Sequence, residues 1–172
     1  VAAPLPTYTP TPEPVKRPTG KGAAIGGVAG AATIAAIVAF IGPWEGRRYT
    51  AYQDIVGVWT ICEGHTKGVK AGDVATDAQC DEMAAQDVAE HNAGIRACIT
   101  RPMPQNVEIA FTSLAFNAGV GAFCGSTALK RYNAGDDTGA CDALNMWVRA
   151  GGKVVKGLVN RRAAESALCK KD

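Results

Sequence analysis

Glu45, Asp54 and Thr60 stand close together in the run WEGRRYTAYQDIVGVWTICEGHT. Cleaving a glycosidic bond needs one acid to protonate the departing oxygen and a second carboxylate to manage the anomeric carbon. Glu45 follows a long apolar stretch, and an apolar surrounding disfavours the charged form of a carboxyl, which suits an acid. Asp54, nine residues on in a polar turn, is expected to stay ionised and act as base. Thr60, on a facing strand, could hold the attacking water by a hydrogen bond. Singly, each has a plainer role as solvated helix residue, turn former or strand residue. The combination carries the argument.

The elements that must position these groups can be read from local signals. A short helix is expected from Glu45 to about Thr50. Residues 52–66 carry turn and strand signals (Asp54, Gly57, then VWTIC), which predict a small β-hairpin. Thr76 and Gln79 have capping-box spacing and open a helix expected to reach about Cys98. Further helices are expected at about 104–117, 123–133, 138–149 and 158–170, separated by NAG, NAGDD and AGGK turns. The fold class is therefore α+β and mainly α: a helical lobe, a small β-hairpin lobe and a cleft between them.

Ahead of this domain the composition changes twice. Residues 1–21 contain Pro4, Pro6, Pro10, Pro12, Pro14 and Pro18 among small and polar residues, and are expected to form a disordered tail. Residues 22–43 hold no charge, and their length matches a membrane-spanning helix. More than half of them are Gly or Ala, and only Ile25, Val28, Ile34, Ile37, Val38, Phe40 and Ile41 are bulky. Those side chains together favour insertion by only a few kcal/mol, at about −0.3 to −0.6 kcal/mol each, so insertion should be marginal and reversible. Lys16, Arg17 and Lys21 favour a cytoplasmic N-terminus, which sends the remainder across the membrane. A cleaved signal peptide and a permanent anchor pairing through Gly22, Gly26 and Gly30 are the competing readings. The marginal hydrophobicity favours a signal-anchor that can leave the bilayer. The expected domains are thus 1–21 (tail), 22–43 (weakly hydrophobic signal-anchor helix) and 44–172 (catalytic).

A net charge of +2 and a pI near 8.3 are too mild for nucleic-acid binding, and no basic run is interleaved with aromatics. Cys62, Cys80, Cys98, Cys124, Cys141 and Cys169 all follow the apolar stretch. An even number spread singly through a small domain predicts three disulfides and an oxidising compartment. Cys62 and His65 have ligand-like spacing, but without a second pair no metal is expected, nor any organic cofactor.

Glu45, Asp54 and Thr60, with Gly46, Tyr52, Gly57, Gly64 and His65 around them, resemble the phage-type lysozymes of glycoside hydrolase family 24. The blocks FNAGVGAFCGSTALKRYNAGD at 116–136 and WVRAGGKVVKGLVNRRAAE at 147–165 resemble endolysins of lambdoid phages. The likeness runs through nearly all of the chain from residue 44. It implies a lysozyme-like fold and a catalytic set of Glu45, Asp54 and Thr60. The implied reaction is inverting hydrolysis of the β-1,4 bond between N-acetylmuramic acid and N-acetylglucosamine in peptidoglycan. Gly64 and His65 are implied as substrate-side residues, with a packing role for His65 at least as well supported. The family's Thr-x-Gly-x-Gly-His motif here reads Thr60-Ile61-Cys62-Glu63-Gly64-His65, so Cys62 replaces a glycine and Glu63 adds a third carboxylate.

Six cysteines permit fifteen pairings. The resemblance implies Cys141–Cys169, then Cys62–Cys80 and Cys98–Cys124. The likeness to signal-arrest-release endolysins also implies a monomer tethered to the host inner membrane through residues 22–43. Its catalytic domain would lie in the periplasm, inactive until the helix is released. No cysteine precedes residue 62, so a thiol switch in that segment is not expected. A lytic transglycosylase, a non-catalytic peptidoglycan-binding module of the same fold and a membrane-permeabilising protein are the alternatives. The retained Asp54 and Thr60 favour hydrolysis over the first two, and the large cysteine-bearing domain argues against the third.

Overall fold

The computed structural model describes residues 29–171. The proline-rich tail and residues 22–28 of the expected anchor lie outside the described residues. The order of elements is helix α1 (Ala31–Glu45), strands β1 (Arg48–Gln53) and β2 (Trp59–Cys62), then helix α2 (Asp77–Arg96). Helices α3 (Gln105–Ala118), α4 (Val120–Cys124), α5 (Thr127–Asn133) and α6 (Asp137–Ala143) follow, the last continued by a 3-10 turn at Leu144–Met146. A short hairpin of β3 (Arg149–Ala150) and β4 (Lys153–Val154) leads into the final helix α7 (Lys156–Cys169).

Helix α3 is the hub of the helical lobe and packs against α1, α2, α4 and α7. Its Phe111 meets Tyr132 edge-on at 5.3 Å and Phe123 at 5.1 Å, an arrangement favoured by the ring quadrupoles. Ile95, Ile99, Leu114 and Leu144 close the same core with no exposed surface. Three disulfides join Cys62 to Cys80, Cys98 to Cys124 and Cys141 to Cys169, the pairing implied by the family likeness. The last two staple the turn after α2 to α4, and α6 to α7.

Helix α1 crosses the boundary expected at residue 43, with Pro43 in its last turn. Ile34, Ile37, Val38 and Ile41 recur at helical spacing and form a single apolar stripe. That stripe packs on Val88 of α2 and on Ile109 and Phe116 of α3. Ala31, Ala32, Ala35 and Ala39 face outward. At the start of α1 the Ala29 amide donates to the buried Asn92 at 3.4 Å. Among the described residues no helix is long and apolar enough to cross a membrane.

The separate helix expected from Glu45 to about Thr50 is not formed. Glu45 is the last residue of α1, and Gly46 (φ +70°) turns the chain sharply into β1. Arg48 already pairs with Cys62 across the antiparallel hairpin, as do Tyr52 with Thr60 and Gln53 with Trp59. The expected helix over 123–133 is two helices broken at Gly125-Ser126, where the Ser126 hydroxyl caps α5. The expected helix over 138–149 stops early, at Ala143 and its 3-10 turn. At α2 the Thr76–Gln79 capping box forms as its spacing predicts.

Candidate active site

Glu45 reaches its position as the C-terminal residue of an apolar helix, but its neighbour is not an apolar wall. The Arg161 guanidinium of α7 donates to Glu45 Oε1 at 2.5 Å, and the Glu45 side chain keeps one-fifth of its surface exposed. Arg161 itself is buried, and its other donors go to the Ser113 carbonyl (3.2 Å), Ser113 Oγ (3.3 Å) and Glu165 Oε1 (3.2 Å). The arginine at the head of this cluster is therefore locked by α3 and α7, and it fixes the one carboxyl oxygen that it touches.

Behind Arg161 lies a buried charge cluster. Glu165 and Arg162 are both fully buried. Ser113 donates to Glu165 at 2.6 Å and Arg162 Nη2 at 3.0 Å. Arg162 Nε lies 2.9 Å from Glu165 Oε2, close enough for an ion pair yet misaligned as a hydrogen bond. Burial pushes the Glu165 carboxyl above its ordinary range and pulls the Arg162 guanidinium below its own. Each partner opposes the shift of the other, so the two remain a balanced pair rather than two isolated charges.

Asp54 and Thr60 are brought together by the hairpin. Asp54 begins its turn: Oδ1 accepts the amides of Val56 (2.9 Å) and Val58 (2.8 Å), and its own amide donates to the Val58 carbonyl at 2.9 Å. The Thr60 hydroxyl, nearly buried, donates to that same Val58 carbonyl at 3.0 Å. Both side chains are thus oriented around Val58. Among the described residues no hydrogen bond or ion pair joins Glu45 to Asp54 or Thr60. Glu45 is held by the helical lobe, the other two by the hairpin.

Gly64 (φ +106°) makes the tight turn after β2, in which its amide donates to the Ile61 carbonyl at 3.2 Å. His65 is buried, with Nδ1 2.8 Å from Asp87 of α2 and Nε2 3.1 Å from the Lys67 carbonyl. Both partners accept, so a ring satisfying both carries two protons. The hydrogen bond to Asp87 is the main cause raising its pKa above the ordinary histidine value. The ring holds the hairpin region to α2, the packing role open from sequence. Cys62, in the position where the family motif has glycine, adopts φ +56°, a left-handed conformation that glycine takes without strain.

In the sequence Arg161 is one of two adjacent basic residues, with no motif to name its partners. Its partners are the acidic groups Glu45 and Glu165. The i, i+4 spacing of Arg161 and Glu165 could have suggested a pair. Nothing local could have brought Glu45 to it across 116 positions.

The sequence profile of the phage lysozyme family matches residues 42–165. The SAR-endolysin of Enterobacteria phage P21 is 42% identical over 153 residues, covering 86% of this chain and 91% of that relative. Among solved structures, a P22 lysozyme variant superposes with a TM-score of 0.72 at 34% identity, covering 79% of this chain and 96% of that one. The muramidase domain of SpmX from Asticaccaulis excentricus gives 0.75 at 32% identity, covering 80% and 96%.

Proposed function

The chain belongs to the phage lysozyme family, and from that premise we propose that Glu45 is the acid, Asp54 the base and Thr60 the water-holding group of an inverting muramidase. The protein is an endolysin, a glycoside hydrolase whose substrate is peptidoglycan. Glu45 protonates the bridging oxygen between the two amino sugars. Asp54 takes a proton from water on the opposite face of the ring, and Thr60 helps to fix that water. The observation that carries this reading is the division of labour in the site. One carboxyl is clamped from the helical lobe by Arg161, while the other is held in the hairpin turn beside a threonine.

Inverting hydrolysis requires carboxyl groups roughly 6.5–9.5 Å apart, with room for water between them. Asp54 Oδ1 is occupied by two amides, whereas Oδ2 makes no hydrogen bond among the described residues and is left for the water.

In the tethered state, residues 22–43 lie in the inner membrane with the catalytic domain in the periplasm. Release lets α1 dock on α2 and α3, and this carries Glu45 to Arg161. The single bulky stripe of α1 supports the reversible exchange, because an outer face of alanines is tolerated in both water and lipid.

Glu45→Gln keeps the shape of the side chain and removes its transferable proton. Turnover on purified murein should fall by about 10²–10⁴-fold. Retained turnover in a folded Glu45→Gln protein removes the acid assignment. Reducing-end analysis of the wild-type products separates hydrolysis from anhydro-ring formation.

A further inference from the structure

Two residues beyond Glu45, the Arg47 guanidinium points all three of its nitrogens at carboxylates. Nε donates to Glu63 Oε1 at 2.5 Å, Nη1 to Asp77 Oδ1 at 2.9 Å and Nη2 to Asp81 Oδ1 at 2.6 Å. Tyr49 adds a hydrogen bond from its hydroxyl to the same oxygen of Asp77 at 2.8 Å. The three acceptors are not equivalent. Asp77 and Asp81 are mostly exposed, at 74% and 67%, and exposed pairs of that kind contribute little. Glu63 is only 9% exposed, and its Oε2 is buried without a hydrogen bond. Arg47 is the cation paired with that carboxylate among the described residues, so its loss would leave a nearly buried charge uncompensated.

The covalent frame of this seat is equally specific. Glu63 follows Cys62 and Asp81 follows Cys80, and those cysteines are bonded, with Cα atoms 5.2 Å apart. Asp77 lies one helical turn before Cys80 on α2. The disulfide thus sets the separation of the carboxylates that grip Arg47. At the other end, only Gly46 separates Arg47 from the residue clamped by Arg161. The end of α1 is therefore held between two arginines, one gripping Glu45 from the helical lobe and one gripping the chain just beyond it from the hairpin side.

We infer that Arg47 is a positioning residue for Glu45, and that the Cys62–Cys80 disulfide assembles the three-carboxylate seat which makes this positioning possible. The inference rests on Glu45 being the acid. Its physical content is that the hydrogen bonds of Arg47 fix where α1 ends and β1 begins, and so limit how far the Glu45 carboxyl can stray from its reacting geometry. Reduction of this one bond would loosen the seat without touching any reacting group.

The test uses the oxidised full chain on purified murein, with near-UV circular dichroism establishing that each variant is folded. Arg47→Ala should lower kcat by roughly tenfold to a hundredfold and leave KM within about twofold, the signature of a misplaced catalytic group rather than weakened binding. Arg47→Lys, with one compact donor head, should recover part of that loss. Cys62→Gly with Cys80→Ala suits the left-handed backbone at residue 62, and should lower kcat to a similar degree. Adding Arg47→Ala to that pair should then cost no more than about a further twofold.

A folded Arg47→Ala protein with kcat unchanged overturns the proposal, as does full additivity with the cysteine pair. If Arg47→Ala does not fold, Glu63→Gln is the deciding variant, because it keeps the shape and removes the buried charge; unchanged kcat there overturns the proposal too. Glu45→Gln assayed alongside separates the two claims. Its inactivity with an unaffected Arg47→Ala removes the latch and keeps the acid, whereas its retained activity removes both.

Discussion

Helices α1 and α3 are both rich in apolar residues, yet they are buried in different ways. Along α3, Val107, Ala110, Phe111, Leu114 and Ala115 are buried, together with the polar Glu108, Thr112 and Ser113, so nearly its whole circumference is interior. Along α1 only Ile37 and Ile41 are fully covered, with Ile34 and Val38 partly so. The polar groups of α3 tie it down further: Glu108 accepts from Asn92 (2.8 Å) and Arg96 (2.6 Å), and Ser113 reaches the Arg161 cluster. A helix buried all round cannot leave without unfolding the domain. A helix buried along one stripe is held by less of its surface, and this one carries Glu45 at its end.

The sharpest way to break that comparison is a matched pair of truncations. Leu114→Ala, at a site with no exposed surface, should destabilise the whole domain by about 2–5 kcal/mol, read as a drop in Tm. Ile37→Ala is equally buried, but its effect is bounded by the free energy of docking α1 alone, and it should lower Tm less. It should instead release α1 amides to hydrogen exchange ahead of those in α3 and reduce turnover on murein beyond the fraction unfolded. Equal Tm losses with uniform exchange would show that α1 is no more separable than α3.

A smaller effect tests how the hairpin, which carries the proposed base Asp54 and its neighbour Thr60, is secured. The Asp87 hydrogen bond raises the His65 pKa, so the protonated ring is favoured in the folded protein. The stabilisation is fully present below the unfolded value near 6.5 and fades as pH rises through the raised folded value. It should amount to about 1.5–3 kcal/mol, the range for hydrogen bonds to charged groups. Urea melts between pH 5 and 8 should show this slope, and Asp87→Asn should flatten it.

The smallest effect is a near-silence. Ala35→Ser, on the outer face of α1, should change stability by less than about 0.5 kcal/mol, whereas a serine in a fully buried helix face would not be so tolerated. A large loss on urea denaturation would mean that the alanine face is covered in solution.

How much was legible in the sequence follows the range over which each feature acts. The capping box at Thr76 and the hairpin around Asp54 depend on residues three or four apart, and both formed as their spacing implies. The start of β1 departs from the expected helix, because Glu45-Gly46-Arg47-Arg48 is helix-compatible only while the glycine keeps a negative φ. The positive φ of Gly46 and the pairing of Arg48 with Cys62 decide otherwise, and both are set by the tertiary fold. The grip of Arg161 on Glu45 and of Arg47 on Glu63 follows from the tertiary fold alone, since no periodicity links α7 to α1 or the turn before β1 to the turn after β2. The disulfide pairing came through resemblance, not through spacing.

That Glu45 is the terminal residue of α1 limits how the segment can vary over evolutionary time. Each residue inserted into or removed from a helix rotates everything beyond it by about 100° and shifts it by about 1.5 Å. With the apolar stripe seated on α2 and α3, a single insertion between Ile41 and Glu45 would swing the carboxyl away from Arg161. The composition of this stretch can drift among small apolar residues, but its residue count is counted out in whole turns.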